Sequence, residues 1–333
     1  MEDHDLLTIK EIAEMAGVSR STVSRALNNS GYVGEDARKR IEKVIKETGY
    51  VPNEQAKSLR TKQTKVIGVI LPTIQTETSS KIVTGLGKEL EENGYQILLA
   101  NTNLDKEKEI EYLDLLKVRQ VDGIILIATN TEPALLEKVQ ALNIPFAMIG
   151  QEASGIYRVT YGDYEAAITL TSLLIKEGHK RIAFIGVDES DGAVGQLRKQ
   201  GYLDEMASNE LPVEKAWLEK GVFDIESGFQ AMEKIMTNAF EKPTAVFAVT
   251  DRLAIGALNY LKENDFQLPK DMSVVSIGGS ELSAFVVPAL TTVDFQYEAA
   301  GKASAKQLLA LIRQEEVQEK IIVDYRLIIR DSV

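Results

Sequence analysis

A chain of 333 residues with 44% hydrophobic and 26% charged side chains has room for two domains and buries most of its unfolded surface without staples. It contains no cysteine and only two histidines, His4 and His179. That excludes disulfides, thiolate catalysis, zinc fingers and iron–sulfur clusters, speaks against a multi-histidine metal site, and fits a reducing cytosol. The formal charge of -12 argues against nucleic acid only as an average: from Arg20 to Lys62 ten bases face five acids, a local +5 that leaves -17 on the rest of the chain. A small basic head on an acidic body is the asymmetry expected when one module meets phosphate and the other avoids it.

In chain order, the beginning carries Glu2, Asp3 and Asp5 without an apolar h-region, and no run of about 18 apolar residues could span a bilayer. The expectation is a cytoplasmic protein with no membrane partner. "TIKEIAEMAG" places Thr8 as the N-cap of a first helix with Glu11 three residues on, a capping box. Ile9, Ile12, Ala13 and Ala16 share one apolar face, and Gly17 ends the helix. Ser19 can cap a second helix, "RSTVSRALN", and the tight turn between the two is that of a helix-turn-helix. A third helix over about Glu35 to Thr48 buries Ala37, Ile41, Val44 and Ile45 and stops at Gly49. Pro52 then opens "NEQAKSLRTKQT", either a helix of one or two turns or a linker.

From Lys65 the pattern alternates. Apolar runs at "VIGVIL", "QILLA", "GIILIA", "FAMIG", "RIAFIGV", "AVFAV" and "SVVSIG" are separated by amphipathic stretches such as Ser79–Asn93, Lys106–Arg119 and Tyr164–Glu177. Strands buried on both faces and alternating with helices indicate a doubly wound parallel α/β body. Its length requires two sheets side by side, with a ligand cleft beyond their strand C-termini. No phosphate loop, dinucleotide fingerprint, nucleophile elbow or H-E-x-x-H is present. Neither catalytic residues, metal nor cofactor are therefore expected. His179 sits in a helix-to-strand turn and reads as a local hydrogen-bonding residue.

The run from Thr8 to Thr61 resembles the DNA-binding head of the lac-repressor family: "AGVS-x-x-TVSR-x-LN", a basic third helix, "GY-x-PN" and "A-x-SLR" occur in order and nearly without gaps. "VDGIIL", "GHKRIAFIG", "TDRLAIGAL" and "PALTTV" carry the resemblance along almost the whole chain. It implies a three-helix head over 1–50, a hinge helix or linker over 51–64, and an effector-binding and dimerising body over 65–333. The body would have the fold of periplasmic sugar-binding proteins, with subdomains over about 65–161 plus 292–322 and about 162–291 plus 323–333. Arg20, Ser21 and Arg25 would face base edges, where an arginine can bond guanine O6 and N7 together. Thr22, Ser24 and Asn28 would hold phosphate, and Thr8 and Ser19 at the helix N-termini belong to the DNA-binding set. In the hinge, Asn53 belongs to the motif. Ala56 would pack on its dimer mate, Leu59 would wedge into the minor groove and Arg60 would read groove width. Gly34 stands where the family usually has a capping serine, which should cost a few tenths of a kcal/mol.

For the effector, the resemblance implies Arg198 at a position that reaches sugar hydroxyls, Phe223 and Phe295 as aromatic stacking positions, and Asp251 at the cleft rim. Thr73 and Gln75 follow the first strand, and Gln151 and Gly278 stand where acids usually grip sugar. "IGGSELSAFVVPALTTVD" is most similar to the sucrose and trehalose branch. A disaccharide or its phosphate is the expected effector: losing two acids suits an anion, whereas Thr73 replaces an arginine that the branch often carries. No heptad tail follows the last strands, so a homodimer on a pseudo-palindromic operator is expected. A global carbon regulator with a phosphorylated carrier protein as co-repressor, and a carbohydrate-binding protein without DNA, are the alternatives; the basic head argues against the second.

Overall fold

The computed structural model describes residues 7–28, 30–50 and 63–333. The chain forms two compact units, Met1–Thr64 and Lys65–Val333.

In the first unit, α1 (Ile9–Ala16), α2 (Arg20–Asn28) and α3 (Glu35–Thr48) enclose Ile12, Ala13, Ala16, Val23, Ile41, Val44 and Tyr50. The capping box forms: the Glu11 N–H donates to Thr8 Oγ1 at 3.4 Å and the Thr8 N–H donates to Glu11 Oε2 at 2.6 Å. Gly17 closes α1 at φ +62°, a left-handed conformation that few residues adopt cheaply. Gly34 precedes α3 without any side-chain cap bond.

The second unit is two lobes, each a six-stranded sheet wrapped by helices. The first sheet contains β1 (Val66–Leu71), β2 (Gln96–Asn101), β3 (Gly123–Ile127), β4 (Phe146–Ile149), β5 (Arg158–Tyr161) and β11 (Lys320–Val323), in the order β11-β5-β4-β3-β1-β2 and parallel throughout. Its helices are α4 (Glu77–Glu92), α5 (Lys106–Val118), α6 (Pro133–Gln140) and α12 (Tyr297–Ile312), and α4 packs on α12. The second sheet contains β6 (Ile182–Gly186), β7 (Leu218–Lys220), β8 (Ala245–Ala248), β9 (Ser273–Ile277), β10 (Thr291–Asp294) and β12 (Arg326–Ile328), in the order β12-β10-β9-β8-β6-β7. Only β12 runs antiparallel, against β10. Helices α7 (Asp163–Lys176), α8 (Arg198–Ser208), α9 (Ile225–Asn238), α10 (Asp251–Glu263) and the short α11 (Leu282–Phe285) complete this lobe. The interior strands β1, β3, β4, β6, β8 and β9 are buried almost end to end, as parallel strands covered on both faces must be.

The chain passes between the lobes three times: after Tyr161, between Asp294 and Tyr297, and between Val323 and Arg326. Two of the expected boundaries need correction. The division at 292 would cut β10, which is held whole in the second sheet by β9 and β12. Val323 belongs to the first lobe, because it pairs with Tyr161.

His179 sits where expected, before β6. Its ring nitrogens meet Thr244 Oγ1 at 2.9 Å and Ser273 Oγ at 3.0 Å, and burial lowers its pKa. It ties together the entries of β8 and β9.

Candidate effector cleft and DNA-reading head

On the head, α2 buries only Val23 and exposes Arg20, Ser21, Arg25 and Asn28, with Thr22 and Ser24 half-buried. Ser19 caps this helix: its Oγ accepts the Thr22 N–H at 3.2 Å and meets Ser21 Oγ and Thr22 Oγ1 at 2.7 and 2.8 Å. Among the described residues, neither Arg20 nor Arg25 has a hydrogen bond or ion pair, so both guanidinium groups keep their donors for an external acceptor. Asn28 donates to the Ser24 carbonyl at 2.7 Å, and the Thr8 hydroxyl is spent on Glu11. Tyr32, 89% exposed in the loop before α3, is an outward aromatic that sequence reasoning passed over. Asn53, Ala56, Leu59 and Arg60 lie outside the described residues.

In the body, the strand C-termini of both sheets face one cavity of about 280 Å³. Thr73, Gln75, Gln151, Arg198, Phe223, Asp251 and Gly278 all line it, as the crevice beyond the carboxyl ends of open α/β sheets requires. Phe295 does not. It is fully buried, its ring stacked on Tyr161 with centroids 5.0 Å apart and edge-on to Tyr325 at 6.0 Å. Gln296 adopts φ +52°, turning the chain so that Tyr297, the first residue of α12, and not Phe295, is the aromatic that this segment brings to the cavity, beside Phe223 and Tyr161. Burial raises the Tyr297 hydroxyl to about 12, so it remains a protonated donor at neutral pH.

Arg198 is positioned by its own ion pair. Its Nε donates to Asp163 Oδ1 at 2.7 Å, its second terminal nitrogen lies 2.7 Å from the same oxygen, and the other bonds the Val249 carbonyl at 2.5 Å. At most two of its five N–H groups remain for a ligand. Asp251, expected at the cleft rim, lines the cavity but is buried and committed. Ser276 Oγ and Thr292 Oγ1 donate to its Oδ1 at 2.5 and 2.7 Å, and the Ser280 N–H donates to its Oδ2 at 2.7 Å. This accounts for Gly278, because a Cβ there would lie 2.7 Å from the Asp251 carboxyl carbon. The space of the missing acid is filled by a neighbouring one.

Both rims are bridged between the lobes. On one side Gln151 Nε2 donates to Asp191 Oδ1 at 2.7 Å, and the Ala193 N–H donates to Gln151 Oε1 at 3.1 Å. Burial raises the Asp191 pKa, against the opposing bonds from Val194 and Gln151. On the other, the Glu281 N–H is shared by both Glu77 carboxylate oxygens at 2.8 and 2.9 Å, and Lys81 donates to the Gly279 carbonyl at 2.9 Å. Glu77 and Lys81 also pair with each other at 2.7 Å. Sequence reasoning missed Glu77, Lys81, Asp191 and Tyr297: each is an ordinary residue of a helix or turn until the two lobes are placed together. Among the described residues, no group of acids and histidines could hold a metal, and no helix is long and apolar enough to cross a membrane.

Residues 8–53 match the bacterial regulatory proteins of the lacI family, and residues 171–333 match the periplasmic binding protein-like domain. The transcriptional regulator RegA of Clostridium saccharobutylicum is 33% identical, with 98% of each chain covered. The sucrose operon repressor of Staphylococcus xylosus is 30% identical over 95% of this chain and 97% of its own. Among solved structures, the lac repressor dimer bound to operator and an anti-inducer superposes with a TM-score of 0.89 at 25% identity, covering 98% of both chains. With a helix-turn-helix head, a two-lobed body and regulators as relatives along its whole length, the chain belongs to the lacI family of bacterial regulatory proteins.

Proposed function

We propose that this protein is a sequence-specific transcriptional repressor of a carbohydrate-utilisation operon, binding a pseudo-palindromic operator as a homodimer, and that a small sugar-type effector in the interlobe cavity controls its hold on DNA. The observation that carries the reading is the cavity itself: it lies between two lobes whose rims are joined by direct hydrogen bonds. A ligand that fills it changes the equilibrium between joined and parted lobes, and only such differential binding can drive a conformational response. Arg20 and Arg25, without a partner among the described residues, support base reading by α2, with Ser21 beside them and Thr22, Ser24 and Asn28 toward phosphate. Leu59, with Asn53, Ala56 and Arg60, is assigned to the minor-groove hinge. Leu98 and Leu99, exposed on the edge strand β2, support an assembly in which that edge is covered. No catalytic role is assigned to any residue.

The test is fluorescence anisotropy of the full-length protein on an operator selected from random duplexes. Affinity should fall steeply with salt, with a log–log slope of about -0.9 per neutralised phosphate. One member of a panel of sugars and sugar phosphates should both raise the melting temperature and weaken operator binding, the coupling being roughly 1–3 kcal/mol and reciprocal. A melt and an operator affinity that no sugar moves would overturn control through the cavity. A Leu59→Ala protein with undiminished operator affinity would overturn the hinge assignment.

A further inference from the structure

Every acid lining the cavity is already committed. Glu77 serves Lys81 and the Glu281 N–H, Asp163 holds Arg198, Asp191 accepts from Gln151 and Val194, and Asp251 accepts from Ser276, Thr292 and Ser280. Two of the lining cations, Lys81 and Arg198, are the partners of the first two. The third is Arg252, the second residue of α10. Among the described residues it has no hydrogen bond and no ion pair, and its Nε is shut off from solvent with no acceptor. The Tyr161 hydroxyl, at the same cavity, is likewise enclosed without a partner.

Buried donors left unpaired are rare in folded proteins, and each costs free energy until an acceptor arrives. A guanidinium presents its N–H groups as a planar fork that matches the two oxygens of a carboxylate or phosphate. From this geometry we infer that the effector is an anion: a compact sugar-like molecule bearing a carboxylate or phosphate, whose acid oxygens bind Arg252 and one of whose oxygens takes the Tyr161 hydroxyl. The inference rests on the cavity being the effector site. Gly278 accords with it, because an acid there would add a further negative charge at the cavity wall. Arg252 also supplies, from α10, the cation that Thr73 does not supply after β1. The volume of about 280 Å³ lies just under the range of about 300–1,000 Å³ usual for small-molecule sites, which favours one ring with its acid group over two rings.

The experiment is isothermal titration of the full-length protein with glucose, glucuronate and glucose 6-phosphate, and with galactose and galacturonate, repeated with Arg252→Gln and Arg252→Lys. An acid-bearing probe should bind more tightly than its neutral counterpart. Arg252→Gln should weaken it at least tenfold, about 1.4 kcal/mol, without lowering the ligand-free melting temperature, since the guanidinium has no partner to lose in the empty cavity. Arg252→Lys should spare glucose 6-phosphate more than the uronates, since a point charge serves phosphate but not a bidentate carboxylate; the two arms thereby separate the sources of the anion. Neutral probes that bind as tightly as acidic ones, an Arg252→Gln protein with wild-type affinity for acids, or no acid-bearing probe binding at all would each overturn the assignment. A neutral sugar that binds and releases operator would sink the anion while leaving control through the cavity intact. Failure of every probe in both titration and operator release would sink both.

Discussion

At Gly278 the chain gives up a side chain so that Asp251 can keep its three hydrogen bonds. An added Cβ would meet the Asp251 carboxyl carbon and Oδ2 at 2.7 Å, and Asp251 cannot move without releasing Ser276, Thr292 and the Ser280 N–H. Gly278→Ala should therefore destabilise the body by about 1–3 kcal/mol, the usual cost of overpacking, read as a lower urea midpoint at unchanged slope. Asp251→Ala should also destabilise, and Gly278→Asp combined with Asp251→Ala should fall short of the sum of the single changes by more than about 0.5 kcal/mol, because the two positions compete for one volume. Strict additivity would refute the shared space. The same residues mark the limit of what could be read in advance. The glycine itself was legible as a missing acid, but its cause was not, since Asp251 is 27 positions away in the chain. Of the two expected stacking rings Phe223 lines the cavity and Phe295 does not, because nothing about glutamine announces the left-handed turn at Gln296 that brings Tyr297 there instead.

Whole helices and strands were far more legible, because their signal is repeated over many residues rather than carried by one. The alternation of apolar runs with amphipathic stretches fixed two doubly wound sheets, and Thr8, Glu11 and Gly17 fixed the ends of α1. Gly34→Ser should supply the missing cap of α3 and slow hydrogen exchange in its first turn by an amount equivalent to a few tenths of a kcal/mol; unchanged exchange there would mean that the cap site is already satisfied. What periodicity could not reveal is the charge under α5. Glu109 is 1% exposed, accepts from Asn130 at 2.5 Å, and is raised by burial from 4.5 to about 7 despite that bond. The folded protein thus holds a proton here that the unfolded chain has released between these two values. Stability falls as pH rises through this window, to a total of about 3 kcal/mol above it. Glu109→Gln keeps the acceptor without the charge. It should raise stability at pH 8.5 by about 2–3 kcal/mol and change it little at pH 4, as measured by urea denaturation at both values. An equal effect at both would show that Glu109 does not titrate in this range.

For the molecule as a whole, the three crossings act as a packed pivot and the two rims as latches. Each crossing contributes aromatic residues to one cluster: Tyr161 from the first, Phe295 and Tyr297 from the second, and Tyr325 from the third, with centroids 5.0–6.1 Å apart. Rings so placed sit in the preferred stacked and edge-on arrangements, so the motion to be tested is rotation of the lobes about this cluster, restrained by the rims. Glu77 and Lys81 on one rim and Gln151 on the other are the groups that cross. Glu77 and Lys81 are about one-third exposed (31% and 34%), so their contribution to closure is that of a screened, hydrogen-bonded pair, about 1 kcal/mol. Removing them with Glu77→Ala and Lys81→Met should lower the ratio of joined to parted lobes about fivefold and raise the apparent dissociation constant of whatever ligand fills the cavity, up to that factor where joined lobes are the minor state. Small-angle scattering of the ligand-free double variant should give a larger radius of gyration than wild type, returning to the wild-type value at saturating ligand. Gln151→Ala, acting on the opposite rim with no shared partner, should add to this effect nearly independently. Variants that alter neither scattering nor affinity would mean that the aromatic pivot alone sets the lobe angle. A ligand would then be sensed through the pivot, by way of Tyr161 and Tyr297, and not through the rims.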